Sequence, residues 1–213
     1  ETQILQRDRH AGVVAALAIA ASVMEQIAFS FSLLMASDVH KLEEWRKPKQ
    51  KGSSHMPQKK NPIKMENLRG LARRVRSNVQ VALENVATPL WRAVEQSSAE
   101  RHILPETTAL VHYMATVLSN QMEKMHVFTN EMLKNLERPA GVWAAHGVRN
   151  ALMAHGVPYD TAYSCVQQAA FEAVAEGMHL RDVLALTQVG GGDVRCISKV
   201  VTTDELRTIF DYR

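Results

Sequence analysis

The sequence has little cysteine, few aromatic residues and a small net charge, and these shortages exclude several classes of protein. Two cysteines in 213 residues form neither a disulfide framework nor a metal-ligand spacing, which favours a reducing compartment such as the cytoplasm. No pair of histidines has metal-ligand spacing either, so the sequence predicts neither a metal nor a cofactor. The most apolar run, residues 11–24, is too short to span a bilayer and indicates a buried helix.

Proline and glycine are also scarce where long helical patterns occur. Residues 6–36 contain no proline and one glycine, and alanine, leucine, isoleucine and methionine dominate them, which predicts a long and largely buried helix. Its apolar character on nearly all sides indicates the middle of a bundle. Helical patterns return at residues 62–86 and 97–120, and Pro105 is expected to kink or restart the latter. No segment shows a convincing strand alternation. The predicted fold class is therefore all-α, as part of a bundle of long helices.

Shorter helical patterns follow toward the end of the chain. Asp160, His179 and Thr203 are placed to open three of them, because each stands at the beginning of an apolar helical period. The change from long to short helices predicts two domains. Residues 1–156 would form the bundle, and residues 157–213 would form a small helical domain.

A long polar segment separates the first two helical patterns and contains the most informative motif. It reads GSSHMPQKKNP at residues 52–62, within a predicted loop at 51–62. Asn61 is a suitable N-cap and Pro62 suits the first helical turn. Residues 41–76 contain twelve Lys or Arg against three acids, so positive charge and free helix N–H groups converge on the loop. We therefore expect the loop to bind an anion.

The residues of the loop, taken alone, exclude two functions and leave others open. A Walker phosphate loop is excluded because GxxxxGK[ST] is absent, and a hydrolase nucleophile elbow because no GxSxG surrounds Ser53 or Ser54. A basic nucleic-acid loop is disfavoured because no aromatic residue is interleaved for base stacking. A solvated basic loop is the remaining alternative, but the glycine, the serines and the helix start suit an anion better.

The string GSSHMPQKKNP matches GSSxMPxKxNP at every specified position, and on this motif the chain resembles the fumarase/aspartase superfamily. The resemblance implies homotetrameric enzymes that eliminate fumarate from a succinyl substrate in active sites shared between subunits. The flanking segments TQILQRDRHA, PIKMENLRGLARRVR and SSAERHILPE resemble the adenylosuccinate lyase branch. MPQKKNP alone would suit argininosuccinate lyases equally well. SSAER favours the former branch, in which this serine and arginine hold the nucleotide phosphate.

The resemblance assigns catalytic roles to four residues. Ser53 matches the general base that removes the proton next to a substrate carboxylate, and a serine needs nearby positive charge and amides to do so. Lys59 and Asn61 match residues that stabilise the resulting aci-carboxylate. Glu66 matches a glutamate that pairs with a catalytic histidine of another subunit.

The resemblance also implies that the partner of the site is a small molecule, a succinylated purine nucleotide, and neither a nucleic acid nor a membrane. The substrate-binding positions that it assigns are Gln3, Ser54, Met56, Asn67, Arg92, Ser97 and Arg101. Ser97 and Arg101 match phosphate contacts, and the structural alternative for Ser97 is an N-cap with Glu100 completing a capping box. Arg92 is the substitute for a phosphate-binding arginine, because the stretch before SSAER lacks the family's histidine and its ERD element.

The histidines of the chain do not match the family's catalytic ones. Those come from segments before the first one matched here, and none of the nine histidines corresponds to them. We therefore expect this chain to be the C-terminal part of a longer enzyme and inactive alone. Two other hypotheses are a superfamily lyase with another substrate, such as argininosuccinate, and a non-catalytic helical oligomer. Retention of Ser53, Lys59, Asn61 and Glu66 together argues against the oligomer.

Overall fold

The structure is a computed structural model and describes residues 4–89, 94–189 and 195–211 of the chain. The chain divides into two compact units, residues 1–129 and residues 130–213. Each unit has its own helices and its own apolar core.

Three long helices make up most of the first unit. They are α1 (Asp8–Leu34), α2 (Ile63–Glu84) and α3 (Glu95–Lys124). Ala11, Ala82 and Ile103 share a core cluster at one end of the bundle, where α1 and α3 begin and α2 ends. α2 therefore runs antiparallel to the other two helices. The polar loop lies at the opposite end, between the last turn of α1 and the first turn of α2.

The inner face of α1 buries small residues, which lets its neighbours approach closely. Four of its five buried residues are alanines, and the fifth is Val14. The opposite face is apolar and exposed, since Ile19 is 68% and Leu33 is 57% accessible. The prediction of a largely buried helix is therefore wrong within this chain, because two neighbouring helices cover only one side of α1. By length and composition α1 could cross a membrane, a test that core helices of soluble proteins also pass.

α3 continues unbroken through Pro105, so the restart predicted there does not occur. Proline removes one intrahelical hydrogen bond, but Ile103 and Thr107 are both buried and hold the helix on either side. After α3 the chain forms strand β2 (His126–Val127), which pairs antiparallel with strand β1 (Leu42–Glu43) of the segment between α1 and the loop. This short ladder ties the segment before the loop to the end of α3.

Shorter helices make up the second unit. In chain order they are α4 (Thr129–Glu137), a 3₁₀ turn (Val142–Ala144), α5 (Ala145–Ala154), α6 (Tyr159–Glu176), α7 (Leu180–Leu186), α8 (Ile197–Val200) and α9 (Thr203–Ile209), with strand β3 (Gln188–Val189) pairing antiparallel with β4 (Arg195–Cys196). Leu152 of α5 and Val166 of α6 belong to one core cluster. The predicted domain division after residue 156 thus falls inside this unit.

Side-chain caps define two of the helix starts in the second unit. Nδ1 of His179 accepts a hydrogen bond from the Arg181 N–H at 3.2 Å, and α7 opens there as predicted. Thr203 is the first residue of α9, as predicted, and the cap itself is Thr202. Asp160 does not cap α6. That helix already begins at Tyr159, because the preceding residue, Pro158, is extended and ends the turn one residue earlier.

Candidate active site

The polar loop, which we call the signature loop (residues 51–62), closes on itself at a neck. A Cβ atom on Gly52 would collide with the carbonyl oxygen of Lys59 and lie 3.1 Å from the Cα atom of Lys60. Only glycine permits so close an approach of two backbone segments. The neck brings the start of the motif, with Ser53, next to its end, with Lys59.

The hydroxyl oxygen of Ser53 is the centre of a tight turn. Its Oγ accepts hydrogen bonds from the backbone N–H groups of His55 and Met56, both at 3.2 Å. Two N–H donors aimed at one oxygen stabilise negative charge on that oxygen. The turn therefore supplies the polarisation that a serine needs in order to accept a proton. The side chains of Ser54 and Met56 are exposed beside it.

Charged residues before the loop hold its C-terminal half in place. Lys60 Nζ donates to Glu43 Oε2 at 2.8 Å, and Arg46 Nη2 donates to the carbonyl oxygen of Asn61 at 2.9 Å. Both lysine side chains are exposed, but Lys60 is engaged in this ion pair, whereas Lys59 forms none with the described residues. Of these two adjacent lysines, Lys59 is the better placed to meet an anionic ligand.

The first turn of α2 is capped by a residue remote in sequence. The N-cap position is Pro62, whose backbone is not yet helical and whose side chain has no acceptor. The predicted Asn61 cap is therefore wrong, because the helix begins one residue too late for it. Glu44 Oε1 instead accepts a hydrogen bond from the Met65 N–H at 2.8 Å.

The environment of Glu44 is unusual for an acid. Its side chain lies almost entirely inside the fold, with 3% of the residue accessible. Burial raises the pKa of its carboxyl group, against the opposing effects of the Met65 and Lys64 backbone N–H groups and of the Lys64 and Arg46 charges. The start of α2 thus rests on a buried acid whose charged form is costly.

Glu66 and Asn67 lie in the first two turns of α2. Both side chains are exposed, whereas their neighbours Met65 and Leu68 are buried in the bundle core. The period of the helix explains this alternation, because residues 65 and 68 share its inner face. Glu66 and Asn67 consequently face away from the core of this chain.

An open cleft of about 650 Å³ lies beside the signature loop. Met56, Lys59 and Asn61 line it from the loop, and Arg46 lines it from the preceding segment. A cleft of this size suits a small molecule. Ser53 is not part of the lining, but Met56, whose N–H donates to Ser53 Oγ, is, so the cleft adjoins the Ser53 turn.

The SSAER element lies in the first turns of α3. The N-cap of this helix is Val94, so the alternative of Ser97 as an N-cap is wrong. Ser97 Oγ donates to the carbonyl oxygen of Val94 at 3.2 Å, and Arg101 Nε donates to the carbonyl oxygen of Ser97 at 3.1 Å. The guanidinium of Arg101 is exposed at this end of the bundle.

Glu100 ties this end of α3 to α1 instead of completing a capping box. Its Oε1 lies 2.9 Å from Arg7 Nε and 3.0 Å from His10 Nδ1. His10 is therefore a neighbour of the SSAER element and lies far from the signature loop. The predicted site residues Gln3 and Arg92 lie outside the described residues.

The chain places its two predicted binding elements at opposite ends of the bundle. α2 begins at the signature loop and ends beside the start of α3, where Asn85 Nδ2 donates to the carbonyl oxygen of Gln96 at 3.3 Å. Its 22 residues span about 33 Å at the helical rise. Ser97 and Arg101 therefore cannot reach a small molecule held by the signature loop of the same chain. In residues 4–89, 94–189 and 195–211, no three potential metal ligands come together.

Sequence reasoning missed the residues before the loop that anchor it, namely Glu43, Glu44 and Arg46. One signal was present. Two of the three acids in the basic stretch 41–76 are adjacent, at Glu43 and Glu44. Acids that are rare in a strongly basic segment are candidates for ion pairs within the fold, but sequence alone does not show which groups they contact.

Solved structures with this arrangement define the class of protein. 3-Carboxy-cis,cis-muconate lactonizing enzyme from Pseudomonas putida matches with a TM-score of 0.80 and 29% identity over 97% of this chain and 44% of that one. A fumarate lyase from Mesorhizobium sp. BNC1 shares the fold, with a TM-score of 0.79 and 22% identity over 96% of this chain and 43% of that one. A family model described as Lyase matches residues 1–77. The chain is homologous to lyases of the fumarase/aspartase superfamily, and the all-α fold class is confirmed.

Several curated relatives that this chain matches are adenylosuccinate lyases. Adenylosuccinate lyase of Bacillus subtilis (strain 168) is 37% identical over 99% of this chain and 47% of its own length. The enzyme of Thermotoga maritima is 35% identical over 99% of this chain and 47% of its length, and that of Deinococcus radiodurans is 43% identical over 85% and 42%. The chain is thus homologous to adenylosuccinate lyases and spans about half the length of the curated relatives it matches.

Proposed function

We propose that the protein containing this chain is a C–N lyase of purine biosynthesis, cleaving adenylosuccinate to AMP and fumarate and also cleaving the related succinylated imidazole carboxamide ribotide. The observation that carries the proposal is the Ser53 turn, which the Gly52 neck brings next to Lys59. The identity of the proposed substrate is inferred from the relatives, which are 35% to 43% identical to this chain. Such an enzyme acts on soluble metabolites, and we place it in the cytoplasm.

The proposed elimination begins with proton transfer. Ser53, as the alkoxide favoured by its two N–H donors, takes the proton from the carbon next to a succinyl carboxylate. The electron pair spreads into that carboxylate and gives an aci-carboxylate with two negative charges. The ammonium group of Lys59 and the amide of Asn61 stabilise this charge.

The second step breaks the C–N bond. The electron pair of the aci-carboxylate forms the double bond of fumarate, and the pair of the C–N bond leaves with nitrogen. A histidine outside this chain protonates that nitrogen and releases AMP. Glu66, exposed at the start of α2, pairs with this histidine, and Ser54, Met56 and Asn67 contact the substrate.

We further propose a homotetramer whose active sites combine residues of different subunits. The support is the length of α2, which separates the signature loop from Ser97 and Arg101 by about 33 Å. A phosphate bound by Ser97 and Arg101 therefore belongs to a substrate held by another subunit's loop. Gln3 and Arg92 likewise bind the substrate of another subunit's loop. The exposed apolar face of α1 offers a surface for such an assembly.

Fumarate release by the full-length protein tests the proposal. We expect Ser53→Ala to lower kcat by about 10²- to 10⁴-fold, the usual contribution of a general base, with little change in KM. Ser119→Ala, on the exposed surface of α3, is the matched control and should leave both constants unchanged. An undiminished rate in the Ser53→Ala enzyme would overturn the assignment of the base.

A second candidate reaction comes from the structural match to the muconate lactonizing enzyme at 29% identity. An enzyme of that kind closes a lactone ring and releases no fumarate. Adenylosuccinate, argininosuccinate and 3-carboxymuconate should therefore be assayed side by side. Turnover of 3-carboxymuconate alone would replace the proposed function, and turnover of argininosuccinate alone would change the substrate but keep the elimination.

A further inference from the structure

Glu44 is a buried acid beneath the signature loop that no step of the proposed elimination uses. Its Oε1 accepts the hydrogen bond from the Met65 N–H. We propose that Glu44 is a positioning residue, which caps α2 from outside the helix and thereby fixes the placement of Lys59, Asn61 and Glu66. The inference rests on the proposed lyase function for its catalytic consequence, but the placement itself is testable without any substrate.

The start of α2 needs an acceptor that its own sequence does not provide. The first N–H groups of a helix have no intrahelical partners. Pro62 occupies the cap position without a side-chain acceptor, and a carboxylate near a helix N-terminus is favoured by the helix dipole. Glu44 supplies that carboxylate. The contact lies between the two sets of predicted catalytic residues, because Asn61 precedes Met65 by one helical turn and Glu66 directly follows it.

The neighbours of Glu44 bind the same short stretch of chain. Each of the four consecutive residues 43–46, which we call the anchoring segment, makes a hydrogen bond to a residue between 60 and 65. The pairs are Lys60 to Glu43, Met65 to Glu44, Lys64 to the carbonyl oxygen of Trp45 and Arg46 to the carbonyl oxygen of Asn61. A contact repeated at four successive positions fixes both the register and the direction of the loop's end.

Within the anchoring segment, Glu44 is the buried member. Glu43, Trp45 and Arg46 are all more accessible than Glu44. The second carboxylate oxygen of Glu44, Oε2, is buried and makes no hydrogen bond to the described residues. A buried acid that is only partly paired costs stability. Its presence is therefore better explained by the geometry it imposes on the loop than by a gain in folding free energy.

The test compares variants of the full-length protein. Glu44→Ala removes the acceptor, and Glu44→Gln keeps an acceptor of nearly the same shape. Asn78→Ala is the matched control, because Asn78 is also a buried polar residue of α2, 1% accessible, and its Nδ2 donates to Thr107 Oγ1 at 3.0 Å far from the loop. The readouts are kcat, KM and amide hydrogen exchange of the peptide covering residues 59–67.

We expect Glu44→Ala to lower kcat by about tenfold to a hundredfold, the cost of misplacing catalytic groups by roughly 1 Å, with a smaller change in KM. Exchange in residues 59–67 should accelerate by about tenfold, as expected when a buried hydrogen bond is lost. Glu44→Gln should restore most of both properties. Asn78→Ala should change neither, even where it lowers the melting temperature by a similar amount.

The outcomes separate this inference from the proposed function. Unchanged exchange in residues 59–67 of Glu44→Ala, or equal acceleration in Asn78→Ala, would overturn the positioning role. Absence of fumarate release by the unmodified protein would overturn the lyase proposal, while the exchange data would still decide the role of Glu44. If Glu44→Ala does not fold, Glu44→Asp replaces it. Its carboxylate is shorter by one methylene, so the same acceleration is expected, and unchanged exchange would overturn the role.

Discussion

Two helices of the second unit, α7 and α9, begin differently from the three long helices of the first unit, whereas α5 and α6 of the second unit also lack a side-chain cap. In the first unit, the N-cap residues of α1, α2 and α3 make no side-chain cap hydrogen bond, and α2 receives its acceptor from the remote Glu44. In the second unit, α7 and α9 are capped by His179 and Thr202, the residues that immediately precede them. A helix with a local cap carries its own start signal, whereas a remotely capped helix starts where the surrounding fold places it.

This difference matters because the candidate active site lies on the remotely capped helix. The residues at the start of α2 depend on the anchoring segment and on the Gly52 neck for their positions. Changes in packing around the loop should therefore act on the proposed activity before they act on global stability. Changes at the local caps of the second unit should act on stability alone.

The largest expected effect comes from Gly52→Ala. The added Cβ would collide with the Lys59 carbonyl oxygen, so the neck must open, and kcat should fall by about a hundredfold or more. The exposed loop contributes little to the core, and the melting temperature should change little. Gly70→Ala is the control, since its Cβ would meet nothing within 4 Å and alanine favours a helix. Equal activity of the Gly52→Ala and Gly70→Ala variants would contradict the proposed role of the neck in activity.

A local cap should show the reverse pattern. Thr202→Ala removes the capping box at α9, which typically costs about 1 kcal/mol, and hydrogen exchange of the α9 peptide in the full-length protein should report this loss. Thr208→Ala is the matched control, because Thr208 Oγ1 donates within α9 to the Asp204 carbonyl oxygen and caps nothing. A larger effect in the control than in Thr202→Ala would break the contrast between local and remote caps.

The two capping acids should respond to pH with opposite signs. Burial raises the pKa of Glu44 above its ordinary value of 4.5. Its contribution to stability is therefore greatest below pH 4.5 and declines as the pH rises through the raised pKa. Glu44→Gln cannot ionise and should remove this decline, which unfolding of both proteins between pH 4 and about 8 would measure. A parallel pH dependence in the two proteins would contradict the burial of the charge.

The effect at Glu205 is expected to be the smallest, because this acid is fully exposed. Hydrogen bonds from the Thr202 backbone and hydroxyl, with a further one from His155, lower its pKa to about 2. Its contribution is therefore present above pH 4.5 and is lost as the pH falls toward 2. Exchange in α9 should differ between Glu205→Gln and the unmodified protein near neutral pH, and the difference should shrink in acid. A difference that grows in acid would have the wrong sign.

The same contrast explains which features could be predicted from the sequence. The sequence correctly predicts the helix starts at His179 and Thr203, because their start signals are local. The sequence places the start of α2 one residue too early and assigns the cap to Asn61, because the acceptor, Glu44, is remote in sequence. The GSSHMPQKKNP motif indicates the loop and the superfamily that the chain resembles, because a motif consists of consecutive residues. The separation of that loop from Ser97 could not be read from the motif, because it depends on how α2 and α3 fold back.

The length of α2 also determines where this protein can change length. α2 fixes the distance between the signature loop and the start of α3. An insertion of four residues within the helix would shift one end by about 6 Å and rotate it relative to the core. Insertions and deletions in the connection between α2 and α3 leave the length of α2 unchanged. The stretch before Ser97 that lacks the family's ERD element lies at this connection, where a change in length alters the approach to the proposed phosphate-binding end without moving the signature loop at the other end of α2.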